Sequence, residues 1–166
     1  MAIIVETGSG VPNANSYVTL SYCDTYFETK GYTTWVNGDD DLKECAIINA
    51  CDYMETLMWK GQKALSTYVL SWPRRGVYDA DGYPIYSDTI PLQVQKAQCE
   101  LALRFFQNKA PLADVSSGDS YIIKEVVGPI EISYSSSHPP NVQFPEVEAL
   151  LRPWINSKLS VEMERA

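Results

Sequence analysis

The stretch PLQVQKAQCELALRFFQNK, residues 91–109, decides the fold. At 100° per residue its polar residues fall in one stripe, made of Gln93, Lys96, Glu100, Arg104 and Gln107. Roughly three quarters of the helix surface is left apolar, formed by Leu92, Val94, Ala97, Cys99, Leu101, Ala102, Leu103, Phe105 and Phe106. Pro91 suits the first turn of such a helix. We expect this helix to lie at the centre of a bundle or under a neighbouring subunit.

Two shorter helices are predicted near the ends of the chain. Thr19 or Ser21 can cap the first, which runs through Lys30 to a left-handed stop at Gly31. The last is opened by a proline and spans 145–151.

A further helix is predicted to begin near residue 41. Asp41 and Glu44 resemble a capping box, and the acidic run 39–41 suits the positive end of a helix dipole. Its apolar side comprises Ala46, Ile47, Ala50, Tyr53, Met54 and Leu57. The chain is therefore expected to be mainly α, a small bundle of about four helices with extended termini.

The segment YIIKEVVGPIEISY, residues 121–134, has a period of 2 in place of 3.6. A Gly-Pro turn separates two β-branched runs, which predicts a β-hairpin arm. Ile130, Ile132 and Tyr134 alternate with polar residues, so one face needs a cover. That cover is either the chain's own helices or a neighbouring chain.

These elements predict a single domain over residues 1–166. We divide it into an N-terminal arm (1–18), a helical core (19–109) with a long loop (59–90), the hairpin (121–134), and a C-terminal helix and tail (144–166). The apolar content of 45% suffices for a core. No apolar run is long enough for a membrane span, and the opening residues do not resemble a signal peptide. The cysteines at 23, 45, 51 and 99 are interpreted as free thiols in a reducing cytoplasm.

The charge balance argues against a protein that grips nucleic acid. There are 13 basic and 21 acidic residues, a net charge of -8, and the pI is about 4.6. Phosphate binding depends on Lys and Arg. The 11 tyrosines favour core and interface roles, although a base-stacking platform is the alternative.

No catalytic, cofactor or metal site is predicted, and we do not expect an enzyme. The only histidine, His138, lies between serines and prolines, a poor setting for a general base. Gly8-Ser9-Gly10 lacks the third glycine of a dinucleotide loop and is interpreted as a turn. Asp79 to Gly82 resembles a calcium loop only at its start, and is also interpreted as a turn.

Arg74 and Arg75, after Trp72-Pro73, form the one compact basic feature. In a structural interpretation Trp72 packs in the core, and the guanidinium groups bind loop carbonyls or Asp79. In a functional interpretation they contact the next subunit or an acidic partner. The sequence alone does not decide between these two interpretations.

Several stretches together resemble one known family. They are VETGSG with Asn15-Ser16-Tyr17, LSWPRRGVYDADG (70–82), Ile90-Pro91, the run 100–103, VGPIEISY (127–134) and FPEVEALLRPW (144–154). With them the chain resembles the helical head-tail adaptor, or head-completion, proteins of tailed phages. Members of that family are often labelled DnaT-like single-stranded-DNA-binding proteins.

The resemblance implies a virion protein at the head-tail interface, assembled in the host cytoplasm. It implies a homo-oligomeric ring of about twelve copies beneath the portal, extending the DNA channel and docking the next neck or tail protein. Double-stranded DNA would pass without specific binding, because an acidic wall repels phosphates. The residues expected at the subunit or portal interface are Trp72, Arg74, Arg75, Ile123, Val127, Ile130, Ile132, Tyr134 and Trp154.

The DnaT-like label supplies a second hypothesis, a single-stranded-DNA-binding replication module. Such a module needs a basic groove lined with exposed aromatic residues. The candidates for incidental DNA contact are Lys60, Lys63, Arg74 and Arg75.

Overall fold

The computed structural model describes residues 2–107, 124–127, 130–133 and 144–156. The elements in chain order are α1 (Leu20–Thr29), α2 (Thr33–Val36), α3 (Asp40–Glu55), β1 (Gln62–Lys63), β2 (Arg74–Arg75), α4 (Leu92–Phe106), β3 (Lys124–Val127), β4 (Ile130–Ser133) and α5 (Pro145–Leu151). The prediction of a mainly α fold with a small antiparallel hairpin is confirmed.

The predicted ends of α1 and α5 are confirmed. The Thr19 hydroxyl accepts the backbone N–H of Tyr22 at 3.0 Å, and Gly31 takes a left-handed φ of 73°. Pro145 is the first residue of α5, where its missing N–H costs nothing.

The predicted start of α3 is wrong by two residues. Asp39 is the N-cap, and its carboxylate accepts the backbone N–H of Leu42 at 3.1 Å. Asp41 lies inside the first turn, where its negative charge interacts favourably with the positive end of the helix dipole. The predicted apolar side faces inward, and the buried residues of α3 are Lys43, Ala46, Ile47, Ala50, Cys51 and Met54.

The short helix α2 was not predicted. It contains Trp35, which is fully buried. The Trp35 ring lies 4.9 Å from that of Phe27 and 5.4 Å from that of Phe106, between α1 and the end of α4. Four residues carry too little periodicity to be read from the sequence.

Helix α4 lies at the centre of the bundle, packed against α3 and α5. Its buried residues are Val94 and the whole run 97–103. Glu100 and Gln98 are among them, although a wheel assigns Glu100 to the wet side. The helix begins after Pro91 and ends at Phe106, so the predicted end at Lys109 falls outside the described residues. We expected α4 to be covered either by the rest of the bundle or by a neighbouring subunit. Over residues 97–103 the bundle itself covers it.

Two small antiparallel sheets complete the described structure. Gln62 pairs with Arg75 in the sheet of β1 and β2. In the sheet of β3 and β4, Val127 pairs with Ile130 and Glu125 with Ile132. Within the described ranges, no helix is long and apolar enough to cross a membrane.

Candidate functional site

Two of the predicted interface residues, Trp72 and Trp154, lie in the core of the chain. Trp72 is fully buried, and its ring meets those of Trp59 and Trp154 edge to face, at 5.7 Å in each case. The indole N–H of Trp154 donates to the Tyr78 carbonyl at 2.8 Å. Both tryptophans pack inside the chain, and an interface role for them stays a prediction.

The two arginines after Trp72-Pro73 have different surroundings. Arg74 is buried and donates to the carbonyls of Lys60, Ser71 and Gly61 at 2.7–3.0 Å. Burial lowers the pKa of its guanidinium from the ordinary value. This is the structural interpretation, with loop carbonyls and not Asp79 as acceptors, while an interface role for Arg74 stays a prediction. Arg75 is exposed and remains available.

The remaining predicted interface residues belong to the hairpin. Val127 ends β3, while Ile130 and Ile132 belong to β4. Ile123 and Tyr134 lie outside the described residues. Within the part of the chain that the structure describes, β3 and β4 pair only with each other, so both outer strand edges are open. An open edge presents unpaired N–H and C=O groups to another chain.

An ion cluster around the buried Glu100 joins the end of α1 to α4 and α5. The Glu100 carboxylate is 2.5 Å from the Lys30 ammonium and 2.7 Å from the Arg104 guanidinium. Both cations also meet Glu146, at 3.4 and 3.0 Å respectively. Burial alone would raise the pKa of Glu100, but hydrogen bonds from Lys30, Arg104 and Tyr26 outweigh it and hold the pKa below its usual value.

Other described cations are also bound to their own chain. Lys43 is buried between Asp24 and Asp40, at 3.3 and 3.0 Å. Two of the cations considered for DNA contact, Lys60 and Lys63, donate to backbone carbonyls at 2.9 and 3.1 Å. Cations held this way are poorly placed to neutralise phosphates.

The glycine-rich loop near the N-terminus closes on a carboxylate of its own chain. Glu6 is 1% exposed, and it accepts the backbone N–H groups of Gly8, Gly10 and Val11 at 2.8–2.9 Å. Successive N–H groups of this kind form a nest for an anion. The nest is filled by Glu6, which the sequence analysis missed although it lies just before the glycines.

A buried polar network ties the N-terminal arm to the core. The Gln98 side chain accepts the N–H of Tyr17 at 2.8 Å and donates to the carbonyl of Ile47 at 3.0 Å. The Tyr17 hydroxyl donates to Glu55 at 2.5 Å. Burial, followed by the nearby Glu55 charge, raises the pKa of Tyr17 well above its usual value. Every partner here is satisfied inside the chain, which is typical of a structural network.

The turn after Val77 is built as predicted. The Asp79 carboxylate accepts the N–H groups of Asp81 and Tyr83 at 3.0 and 2.8 Å, and Gly82 has a φ of 88°. Among the residues described, no group of three or more His, Cys, Asp or Glu side chains is arranged to hold a metal ion. His138 lies outside those residues.

A shallow depression of about 380 Å³ runs along α1. Hydroxyl-bearing residues line it: Thr19, Ser21, Tyr22, Thr25, Tyr26 and Thr29. The Thr25 and Thr29 hydroxyls already donate to carbonyls one turn back. This lining provides neither a nucleophile with its base nor a pair of carboxylates.

Comparison with known proteins agrees with part of the resemblance. No curated protein and no solved structure matches the chain. One family model matches residues 1–166, the full length of the sequence. The chain therefore belongs to the family described as "Putative DnaT-like ssDNA binding protein".

Proposed function

We propose that this chain is a non-enzymatic structural adaptor of the head-tail connector of a tailed phage. In this role copies form a ring beneath the portal, extend the DNA channel and dock the next neck or tail protein. The observation that carries the proposal is the β3–β4 hairpin, whose two outer edges have no strand partner among the described residues. A lone two-stranded hairpin is marginal in water, so a neighbouring chain would stabilise it.

The distribution of charge supports an adaptor that DNA passes without being held. The net charge is -8, and several described cations are bound to carboxylates or carbonyls of the same chain. A surface with few available cations exerts little attraction on phosphates. DNA can then move along such a wall without sticking.

The second candidate is a single-stranded-DNA-binding module, which the description of the family favours over the adaptor. In this role exposed cations would bind the phosphate backbone of the DNA, and tyrosines would stack on its bases. Arg75 and Arg152 are exposed and could take part. The affinity should then fall steeply as salt is raised.

One pair of measurements on the full chain separates the two candidates. The first mixes the chain with purified cognate portal protein and images the products by electron microscopy. The second titrates the chain into fluorescein-labelled oligothymidylate at low and at moderate salt. An adaptor forms portal-bound rings and leaves the oligonucleotide free at moderate salt. The reverse result establishes the DNA-binding module.

Ile132→Asp tests whether the hairpin makes the ring contact. A charge at this apolar position should abolish rings while leaving the monomer folded, because the buried contact would enclose an unpaired carboxylate. Ser133→Asp is the matched control, with the same charge at the adjacent polar position of the same strand. Circular dichroism checks folding. Rings that persist in Ile132→Asp contradict this contact.

A further inference from the structure

A second exposed feature lies in the long loop between β2 and α4. Residues 77–88, which we name the tyrosine turn, fold back on themselves. The N–H of Ile85 donates to the Val77 carbonyl at 3.0 Å, and that of Asp79 to the Tyr83 carbonyl at 2.9 Å. The backbone of this segment is therefore ordered by its own hydrogen bonds.

The tyrosine turn is anchored to the core at several points. Val77 is 3% exposed, and the Trp154 indole donates to the Tyr78 carbonyl. Gly8 of the N-terminal loop lies against the Asp88 carbonyl so closely that a Cβ at Gly8 would be 1.9 Å from its oxygen. A surface held this way loses little conformational entropy when a partner binds.

Three large aromatic side chains project from this anchored turn. Tyr78, Tyr83 and Tyr86 are 58%, 69% and 76% exposed. Tyrosine gives much contact area for little entropy and is enriched at the energetic centres of protein interfaces. Three exposed tyrosines on one ordered turn therefore indicate an interaction surface.

Within the tyrosine turn itself the charge has one sign. Asp81 and Asp88 are exposed, and no described cation pairs with either of them. No Lys or Arg occurs anywhere from Val77 to Gln95. The turn therefore combines aromatic faces with carboxylates that no described cation neutralises.

We propose that the tyrosine turn docks a protein surface that presents arginine and lysine side chains. Guanidinium groups stack on tyrosine faces, and they pair with carboxylates through charge-assisted hydrogen bonds. Nucleic acid fits poorly, because its phosphates would meet Asp81 and Asp88 without compensating cations. A second copy offers few free cations, because its Lys30, Lys43 and Arg104 already pair with its own carboxylates. This surface goes beyond the proposed function and does not depend on the hairpin.

The test uses the full chain and two fluorescein-labelled probes, read by fluorescence anisotropy at moderate salt. One is a short peptide of alternating arginine and glycine, and the other is oligothymidylate. Tyr83→Ala/Tyr86→Ala should weaken peptide binding about tenfold, as expected for two exposed cation–π contacts. The control Val36→Ala/Leu42→Ala removes exposed apolar side chains from another surface and should change nothing.

A second pair of variants separates a local contact from general attraction to an acidic protein. Asp81→Asn/Asp88→Asn and Glu28→Gln/Asp52→Asn each remove two exposed carboxylates and change the net charge equally. The first pair should weaken peptide binding several-fold, and the second much less, because only the first lies in the turn. Equal effects of the two pairs, no binding of the peptide, or a tyrosine-dependent preference for oligothymidylate would overturn the proposal.

Discussion

Glu100 links more elements of this bundle than its single charge would suggest. It lies on the central helix and binds Tyr26 of α1, Lys30 at the C-cap of α1, and Arg104 one turn further along α4. Lys30 and Arg104 also form salt bridges with Glu146 of α5. A buried carboxylate is tolerated only when its hydrogen bonds are satisfied in this way.

Glu100→Gln should therefore lower the free energy of unfolding at neutral pH by about 3–5 kcal/mol, because two partly buried cations lose their shared carboxylate. Since the folded pKa lies below the usual value, the stabilisation is present above about pH 4.5 and is lost as the pH falls through the lowered pKa. The gap between wild type and Glu100→Gln should shrink in acid. Urea unfolding at several pH values measures it.

The control for this prediction is Glu28→Gln, which removes an exposed carboxylate from α1. Its effect should stay within about 0.5 kcal/mol at every pH. If Glu100→Gln behaved like this control, the ion cluster would contribute nothing to stability.

At the scale of elements, the N-terminal loop joins two distant parts of the chain. Its N–H groups surround Glu6, and its backbone lies against the tyrosine turn at Gly8. Gly8 has a φ of 102°, a conformation that residues with a Cβ rarely adopt. Glycine is thus required here for both the backbone angle and the close approach.

Gly8→Ala and Gly82→Ala form a matched pair that separates these two requirements. Gly82 has a similar φ of 88°, but a Cβ there would meet nothing within 4 Å. We expect Gly82→Ala to cost about 1–2 kcal/mol from backbone strain alone, and Gly8→Ala to cost about 1–3 kcal/mol more from overpacking. Thermal or urea unfolding gives both values. Equal losses would show that the loop and the turn do not touch tightly in solution.

The ends of the helices could be predicted from local sequence, because caps are local chemistry. Thr19 and Pro145 mark α1 and α5 correctly. The inward position of Glu100 could not be predicted, because its partner Lys30 is 70 residues away in the sequence. A helical wheel also places every carboxylate on the solvent-exposed side of a helix. For Arg74 the sequence predicts loop carbonyls or Asp79 as acceptors, and only the folded loop decides between them. Of the candidate interface, the sequence predicted the hairpin pairing, and its structural interpretation placed Trp72 in the core, but the burial of Trp154 was not predicted.

Over the whole molecule, the described core encloses three of the four cysteine thiols. Cys23, Cys51 and Cys99 are buried as free thiols, while Cys45 is half-buried. Burial raises the pKa of the Cys23 and Cys51 thiols, so little thiolate forms at neutral pH. These residues lie on three helices of the bundle, α1, α3 and α4.

Thiol labelling with Ellman's reagent should therefore report the opening of the bundle. Cys45 should react first, and the other three should react more slowly by about 10³-fold or more, since they must wait for unfolding. Cys45→Ser is the control and should remove the fast phase alone. Two or more fast thiols in the native protein would contradict a closed core.

The contact between Arg104 and α5 has a consequence for how this chain can change over time. Arg104 reaches Glu146 at 3.0 Å, and its guanidinium lies 5.9 Å from the centre of the Phe144 ring. The polypeptide thus leaves the end of α4 and re-enters the bundle beside it. The entropy of closing such an excursion grows only slowly with its length. The packing of α4 against α5 therefore tolerates changes in the length of the connection between them, provided that the β3–β4 hairpin of the proposed ring contact is kept.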